Sequence, residues 1–465
     1  MTLTSLPSPP RGAPGRLEHP RQPERPRRVA LYSHDTQGLG HIRRNIALAA
    51  ALVAAEPDTD VLLLTGAPEA TALPLPPRTD VVTLPTLHKD HAGGYAARTL
   101  GVTLPEVLAL RSAILTATLL AFGPDLLVVD KVARGLGGEL DPALEALRST
   151  PTVVVLGLRE VLDDPAVARR QWDDARTTEA VRDLYDAVWV YGDPAVHDLV
   201  TECGLPAAVA GKVSYTGYLA HGRGAGAVVR TRPTPRVAPP ATPYVLCLVG
   251  GGQDGVELAE AFLRAPLPAG HTGVVLTGPY MRRDAREALR STAADRPGHV
   301  LLEFVPDADR FIAGAAAVVS MAGYNSVCEL LAAGAPTLLA PRTTPRAEQL
   351  VRARSLERVG LASVLEPGDV EPAALGRWLD AAVGPRPAAP AGPIDLDGLA
   401  RVPRLAAALL DRAELLDRAA RRAHARPPTA PTVRTAPTVR ATTVPTTQPT
   451  ATSLTRPQEP ARVPV

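Results

Sequence analysis

The stretch "YVLCLVGGGQDGVELAEAFL", Tyr244 to Leu263, reads as an apolar strand, a glycine turn and a helix. It decides the fold because the chain has already used the same order once. In "VALYSHDTQGLGHIRRNIALAAAL", Val29 to Leu52, a short apolar run meets a glycine-spaced polar turn and then a helix. The first copy is followed by "VLLLT", "VVTL", "LLVVD", "TVVVLG" and "AVWVYG", the second by "GVVLTG", "VLLEF", "AVVSM" and "PTLLAP". Short β-branched or leucine-rich runs between alanine-rich helical stretches read as buried parallel strands with crossover helices. Between the two series, "HGRGAGAVVRTRPTPRVAPPATP" (221–243) interrupts the alternation with Gly, Pro and Arg, as a linker does. The expectation is an α/β protein with two tandem open-sheet domains, 29–220 and 244–412, facing a central crevice. A ligand should bind there, outside the carboxyl ends of the strands.

A chain of 465 residues exceeds one ordinary core, in keeping with two domains. Its 50 basic and 48 acidic residues nearly cancel, so charge makes no case for a nucleic-acid partner. All but three of the basic residues (Lys89, Lys131, Lys212) are arginine. Three scattered cysteines suggest neither a disulfide framework nor a zinc site. No run of about 18 apolar residues and no signal-peptide core is evident, so a cytoplasmic protein is expected. Residues 1–28 are rich in Pro and Arg and read as a disordered arm. From 413 a helical extension should give way to a disordered Pro/Thr-rich tail, in which "TAPTVR" occurs twice in succession.

"GLGHIR" (Gly38 to Arg43) approaches a dinucleotide fingerprint and fails it twice. Arg43 replaces the third glycine, and "VLLLTG" ends without the acidic residue that would hold a ribose. No Gly-Lys-Ser/Thr follows, which removes a Walker loop. What remains is a turn whose glycines, Gly38 and Gly40, let a ligand approach backbone amides and a helix N-terminus. His41 opens that helix. A helix N-terminus disfavours a cation, which suits a neutral imidazole acting as general base. A first-turn histidine that merely bonds the neighbouring loop is the alternative.

In the second turn, Gly251 and Gly252 present successive N–H groups to an anion, and Gln253 adds a side-chain amide. A purely steric need for glycine there is the alternative. Further on, "AVVSMAGYNSVCELLAAGAPTLLAP" runs strand, turn, helix, with the helix starting near Asn325. Gly323 permits close approach to its N-terminus, and Glu329 could accept the two hydroxyls of a ribose. Ser326 to Glu329 also fits an S-x-x-E capping box, which would satisfy both residues locally.

Other polar residues cluster at strand ends. Asp130, Lys131, Arg134 and Glu139 follow one strand, and Arg159, Glu160 and Asp163 the next. His88, Lys89, Asp90, His91 and Tyr95 lie in a loop, and Arg346, Glu348 and Gln349 enter a later helix. These would line the crevice or form internal ion pairs. Asp130 and Arg159 are the strongest candidates after His41. The Asp-x-Asp patterns at 58–60, 307–309 and 395–397 are too short to indicate a metal.

The blocks "GLGH", "GGGQDG" and "MAGYNSVCELLAAGAPTLLAP…EQ…RA" together resemble a GT-B glycosyltransferase of two Rossmann-like domains. More narrowly, they are similar to the family 28 enzymes that include the peptidoglycan lipid-precursor N-acetylglucosaminyltransferase. The resemblance covers about 28–412. It implies sugar transfer from a nucleotide-sugar donor, UDP-linked, to a hydroxyl acceptor, inverting and without metal or cofactor. Gly251, Gly252 and Gln253 would cradle the donor diphosphate, with Gly323 and Asn325 at the facing helix N-terminus. Glu329 would hold the ribose, Gln349 the sugar and the backbone at Phe304 and Val305 the base. Gly38, Gly40 and His41 would face the acceptor and the leaving diphosphate. The turn "DTQGLGH" and the Glu348–Gln349 pair depart from the peptidoglycan enzyme, so the acceptor stays open. A docking patch for lipid is not obvious, and membrane association should be peripheral at most. "GLGHIRR" also resembles the Gly-x-Gly-His-x-x-Arg turn of nucleotide-sugar hydrolases. A hydrolase, an epimerase or a non-catalytic nucleotide-sugar-binding protein are the alternatives.

Overall fold

The computed structural model describes residues 25–35, 38–89, 94–223, 237–305, 307–384 and 394–424, with 417–424 as backbone only. Most of the expected arm, the Pro/Thr tail, the middle of the linker, Asp90 and His91 lie outside the described residues. Residues to Arg418 form one compact unit, which holds both sheets, and Ala419–Val465 is a separate unit.

The first sheet contains β1 (Arg28–Ser33), β2 (Asp60–Thr65) and β3 (Thr79–Thr83). A small antiparallel hairpin, β4 (Leu87–Lys89) with β5 (Tyr95–Ala97), stands outside it. The sheet continues with β6 (Leu126–Asp130), β7 (Val153–Arg159), β8 (Ala187–Tyr191) and β9 (Val213–Tyr215). The second sheet contains β10 (Tyr244–Leu248), β11 (Thr272–Leu276), β12 (His299–Leu302), β13 (Ala317–Ser320), β14 (Thr337–Leu339) and β15 (Ser363–Val364). All pairings within both sheets are parallel, in the orders β3-β2-β1-β6-β7-β8-β9 and β12-β11-β10-β13-β14-β15.

Central strands are buried along their whole length: "LLVVD", "AVWVY" and "YVLCL" expose no residue. Parallel strands covered by helices on both faces need such unbroken apolar runs. Each buried Val or Leu contributes about 1.5–3 kcal/mol.

The strand orders place the site. In the first sheet β1 lies between β2 and β6, so the chain winds away from β1 in both directions. The loops after β1 and β6 therefore separate and leave a crevice at the carboxyl edge. In the second sheet β10 lies between β11 and β13 and opens the same kind of crevice. The four loops so defined carry Gly38–His41, Asp130–Lys131, Gly251–Gln253 and Gly323–Asn325.

Two features were not expected. The helix Leu104–Phe122 is long and apolar enough, by length and composition alone, to cross a bilayer, which corrects the reading that no such stretch exists. Its buried stripe of Val107, Arg111, Leu115 and Leu119 instead packs on the first domain, and Arg111 pairs with Glu139 inside it. Secondly, the chain returns to the first domain near 394. Asp395 N donates to Asp193 Oδ2 (2.8 Å), and Tyr218 N and Gly398 N exchange bonds with Asp395 O and Tyr218 O (2.8 and 3.0 Å). The helix Gly398–His424 then buries Leu399, Val402, Ala406 and Leu410 on one stripe.

Candidate functional site

The helix Gly40–Ala55 begins without a side-chain cap and without an acidic residue in its first turn. The helix Tyr324–Ala333 does the same, with Gly323 as its N-cap residue. Each therefore leaves N–H groups and the positive end of its dipole unanswered by its own sequence. The two N-termini meet: Asn325 Nδ2 donates to Gly40 O at 2.9 Å, and Arg223 from the linker donates to Asn325 Oδ1 at 3.2 Å. A β-carbon added to Gly38 would lie 3.6 Å from Gln253 Oε1, so the two glycine turns also adjoin.

His41 and Asp130, chosen separately from the sequence, come together. His41 Nδ1 lies 2.7 Å from Asp130 Oδ2. Arg44 Nη2 bonds both oxygens of the same carboxylate, at 2.7 and 2.6 Å. Burial alone would raise the Asp130 pKa, but the Arg44 guanidinium, and then His41, hold it well below the usual carboxylate range. Arg44 Nη2 also lies 3.0 Å from His41 Nδ1, but the shorter contact is to the ionised Asp130, which can only accept; with Nδ1–H donating to it, Nε2 is the basic nitrogen of His41. Arg44 is itself buried, 5.9 Å from the Tyr191 ring centroid and 5.5 Å from that of Tyr324. Beside them His34 packs at 5.2 Å from the His41 ring; burial, then His41 and Lys131, push its pKa well down, so it is neutral at pH 7.

The glycines divide into two kinds. Gly252 is buried with φ +86°, and a β-carbon there would lie 2.2 Å from Thr277 O. Its glycine is a steric requirement. Gly251 is exposed beside Tyr280, and at Gly323 a β-carbon would meet nothing within 4 Å. Gly323 faces open space, and a β-carbon at Gly251 would make only ordinary contact, 3.6 Å from Tyr280 Cδ2. Gln253 is exposed on the same turn.

Glu329 is not a capping residue. The helix starts at Tyr324, which puts Ser326 and Glu329 inside it and removes the capping-box alternative. Its carboxylate instead accepts from Arg43 Nη2 at 2.8 Å, across the crevice. Val305 is buried next to an exposed Phe304. Gln349 is buried, with Oε1 accepting from Arg342 N at 3.4 Å. Arg342 also reaches Asp254 in the second glycine turn at 2.9 Å. Glu348 accepts from Arg159 Nη2 at 2.5 Å, and the arginine holds its carboxylate well below the usual range against the effect of burial.

Other candidates are internal. Glu139 accepts from Arg111 and Tyr32 in the core of the first domain, and Arg134 pairs with Asp141 at 3.0 Å. Asp163 receives Ala347 N at 3.0 Å. Sequence reasoning gave no role to Arg44 or Arg352. Arg44 follows His41 by three, the spacing that puts two helical residues on one face, and that signal could have found it. Arg352 had none: it donates to Glu160 Oε1 (2.7 Å) and Ala322 O (2.9 Å) from complete burial. Among the described residues no group of three or more His, Cys, Asp or Glu converges as a metal site would.

Two parallel open sheets joined at their switch-point loops define the GT-B class of fold, and the solved structures that resemble this chain share it. The calicheamicin glycosyltransferase aligns with a TM-score of 0.50 at 17% identity, over 87% of this chain and 100% of that one. UDP-glucose: anthocyanidin 3-O-glucosyltransferase aligns with a TM-score of 0.51 at 12% identity, over 84% and 99%.

In sequence, residues 245–390 match the family described as the glycosyltransferase family 28 C-terminal domain. Similar curated proteins are UDP-N-acetylglucosamine–N-acetylmuramyl-(pentapeptide) pyrophosphoryl-undecaprenol N-acetylglucosamine transferases. That of Klebsiella pneumoniae subsp. pneumoniae is 30% identical over 195 residues, 39% of this chain and 54% of the relative. That of Mycobacterium ulcerans is 27% identical over 135 residues, 29% and 34%. The chain thus spans about half the length of the first of these relatives, and the family resemblance read from "GYNSVCE" is found where that block lies.

Proposed function

We propose that this protein is an inverting glycosyltransferase that moves a sugar from a nucleotide sugar, UDP-linked, to an acceptor hydroxyl. The observation that carries the reading is the meeting of two uncapped helix N-termini beside a His–Asp pair. His41 Nε2 removes the proton of the acceptor hydroxyl while that oxygen bonds to the anomeric carbon. The bond from that carbon to the diphosphate oxygen breaks, and its electron pair leaves with the nucleoside diphosphate. Asp130 stabilises the imidazolium that forms. The leaving charge is met by the N–H groups at Gly323–Asn325, Gly251 and Gly40, with Gln253 adding its amide. Preorganised donors of this kind contribute about 2.7–4 kcal/mol in other enzymes and can serve without a metal. Glu329 binds the ribose hydroxyls, Gln349 the sugar, and the Phe304–Val305 segment the base.

Thermal stabilisation by UDP-, dTDP- and GDP-sugars tests the donor site. A ligand at 100 times its dissociation constant adds about 2.7 kcal/mol. A shift with UDP-sugars that shrinks in Glu329→Ala is the expected result. No shift with any nucleotide sugar, in a sample shown to be folded, would overturn the reading.

A further inference from the structure

Tyr324 is the first residue of the helix whose N-terminus stands open at Gly323, and its own side chain is buried. Two buried guanidiniums lie over its ring. Arg44, from the helix that begins beside His41, has its Cζ 5.5 Å from the ring centroid, and Arg352, from the second domain, 5.7 Å. Both distances are within cation–π range, and such contacts are stronger when desolvated than at a surface.

The two arginines are held differently. Arg352 is tied at three nitrogens: Nε and Nη2 donate to Glu160 (2.7 and 3.3 Å), and Nη1 to the carbonyl of Ala322 (2.9 Å), the residue before Gly323. Among the described residues Arg44 makes its hydrogen bonds through Nη2 only, on Asp130 and beside His41, and its buried Nε has no partner. The rest of its guanidinium is held by two rings, Tyr191 at 5.9 Å and Tyr324. Tyr324 is not free to drift with it. Its ring stacks on Tyr218, with centroids 6.3 Å apart and planes at 22°, and its hydroxyl accepts from Leu219 N at 3.4 Å. Tyr218 and Leu219 lie where the chain leaves the first domain, paired there with the returning segment at Asp395–Gly398.

We propose that Tyr324 is a positioning residue: its ring holds the Arg44 guanidinium, and through Arg44 and Asp130 it fixes the His41 imidazole relative to the helix that Tyr324 itself begins. This rests on the reading of His41 as the base and of that helix N-terminus as a place of the leaving diphosphate. Transfer needs base and leaving group held in one geometry about the reacting carbon. One residue carries both references, since its backbone opens the donor helix and its ring sets the arginine behind the base.

Substitutions that keep the shape of the ring and change its charge distribution test this without emptying the core. Tyr324→Phe keeps the negative face of the ring and removes the hydroxyl. Trifluorophenylalanine at the same position keeps the shape and withdraws that face. Tyr324→Leu removes the ring. Histidine ring nitrogens are labelled with nitrogen-15, and the His41 signals are assigned by their loss in His41→Ala. Spectra are recorded at about pH 8, above the ordinary histidine range. UDP binding is followed in each chain by calorimetric titration.

The parent chain and Tyr324→Phe are expected to show His41 in one tautomer, with Nδ1 protonated and Nε2 bare. In the fluorinated chain and in Tyr324→Leu, Nδ1–H should exchange with water about tenfold faster, the scale of a lost buried cation–π contact. The two ring nitrogens should also move towards a common average. UDP affinity should change less than about threefold, because the groups offered to the diphosphate are backbone N–H. A ring that merely fills space predicts the reverse, weaker UDP binding with His41 unaltered. Parent-like His41 signals in the fluorinated chain overturn the proposal. Equal disturbance in Tyr324→Phe also overturns it, since the hydroxyl would then be responsible. If UDP binds none of these chains, the donor reading falls, while the His41 spectra still decide the part played by the ring.

Discussion

Asp130 does two things with one carboxylate, and its substitutions separate from those of His41 for that reason. His41→Ala removes a general base from a partly exposed position, so turnover should fall about 10²–10⁴-fold while UDP affinity is retained. Single-turnover rates beside a thermal shift with UDP check this. Asp130→Asn also leaves Arg44 charged, buried and without its anion, at a cost of about 3–5 kcal/mol in urea unfolding. The pH dependence has a definite sign. Asp130 and Glu348 titrate lower in the folded chain than in the unfolded one, so their stabilisation is complete above the unfolded value of about 4. It is lost as pH falls through that value towards the folded pKa. Urea midpoints from about pH 7 to 3 should decline, and less steeply in Asp130→Asn.

The glycine turns behave differently as elements. The turn after β10 must fold back on Thr277–Met281, and Gly252 is where the two backbones touch. Gly252→Ala adds a left-handed alanine and a clash with backbone, so a loss of more than about 2 kcal/mol is expected. At Gly323 the backbone is ordinary, φ −67°, and the space is empty. Gly323→Ala should change stability by about 0.5 kcal/mol or less and weaken UDP binding, because the methyl occupies the approach to the helix N-terminus. Calorimetric titration with UDP beside urea unfolding separates the two outcomes. If Gly323→Ala bound UDP like the parent chain, the diphosphate would have to lie elsewhere.

For the whole molecule the central issue is how the domains are held. Arg352 of the second domain is buried on Glu160 of the first, and Arg43 of the first pairs with Glu329 of the second. The first pair is inaccessible to water and the second is half open to it, so they should respond differently. Glu160→Gln strands a buried guanidinium and should cost about 3–5 kcal/mol, most of it recovered when Arg352→Met is added. Arg43→Ala should leave stability nearly unchanged, since exposed pairs contribute about 0–1 kcal/mol. It should also tighten UDP binding, because Glu329 no longer has to exchange an arginine for the ribose. Weaker binding in Arg43→Ala would instead place Arg43 among the donor's own contacts.

The sequence by itself determined the two-sheet architecture. Each of its expected strands, from "VALYS" to "PTLLAP", is a strand, because parallel strands buried on both faces require unbroken apolar runs that stand out against helical periodicity. The short edge strands β9 and β15 and the β4–β5 hairpin bury less and left no such mark. His41, Asp130, Gly323 and Glu329 were also legible, since turns and strand ends in this topology come to one crevice. What only the tertiary structure decided was pairing. Nothing local told Asp130 to take Arg44 and His41, Glu329 to leave a capping box for Arg43, or Glu139 to retire into the core. Ion pairs form across sequence separations such as 89, 192 and 286 residues. Their choice depends on which charges the two sheets bury side by side, and periodicity along one strand or helix carries no record of that.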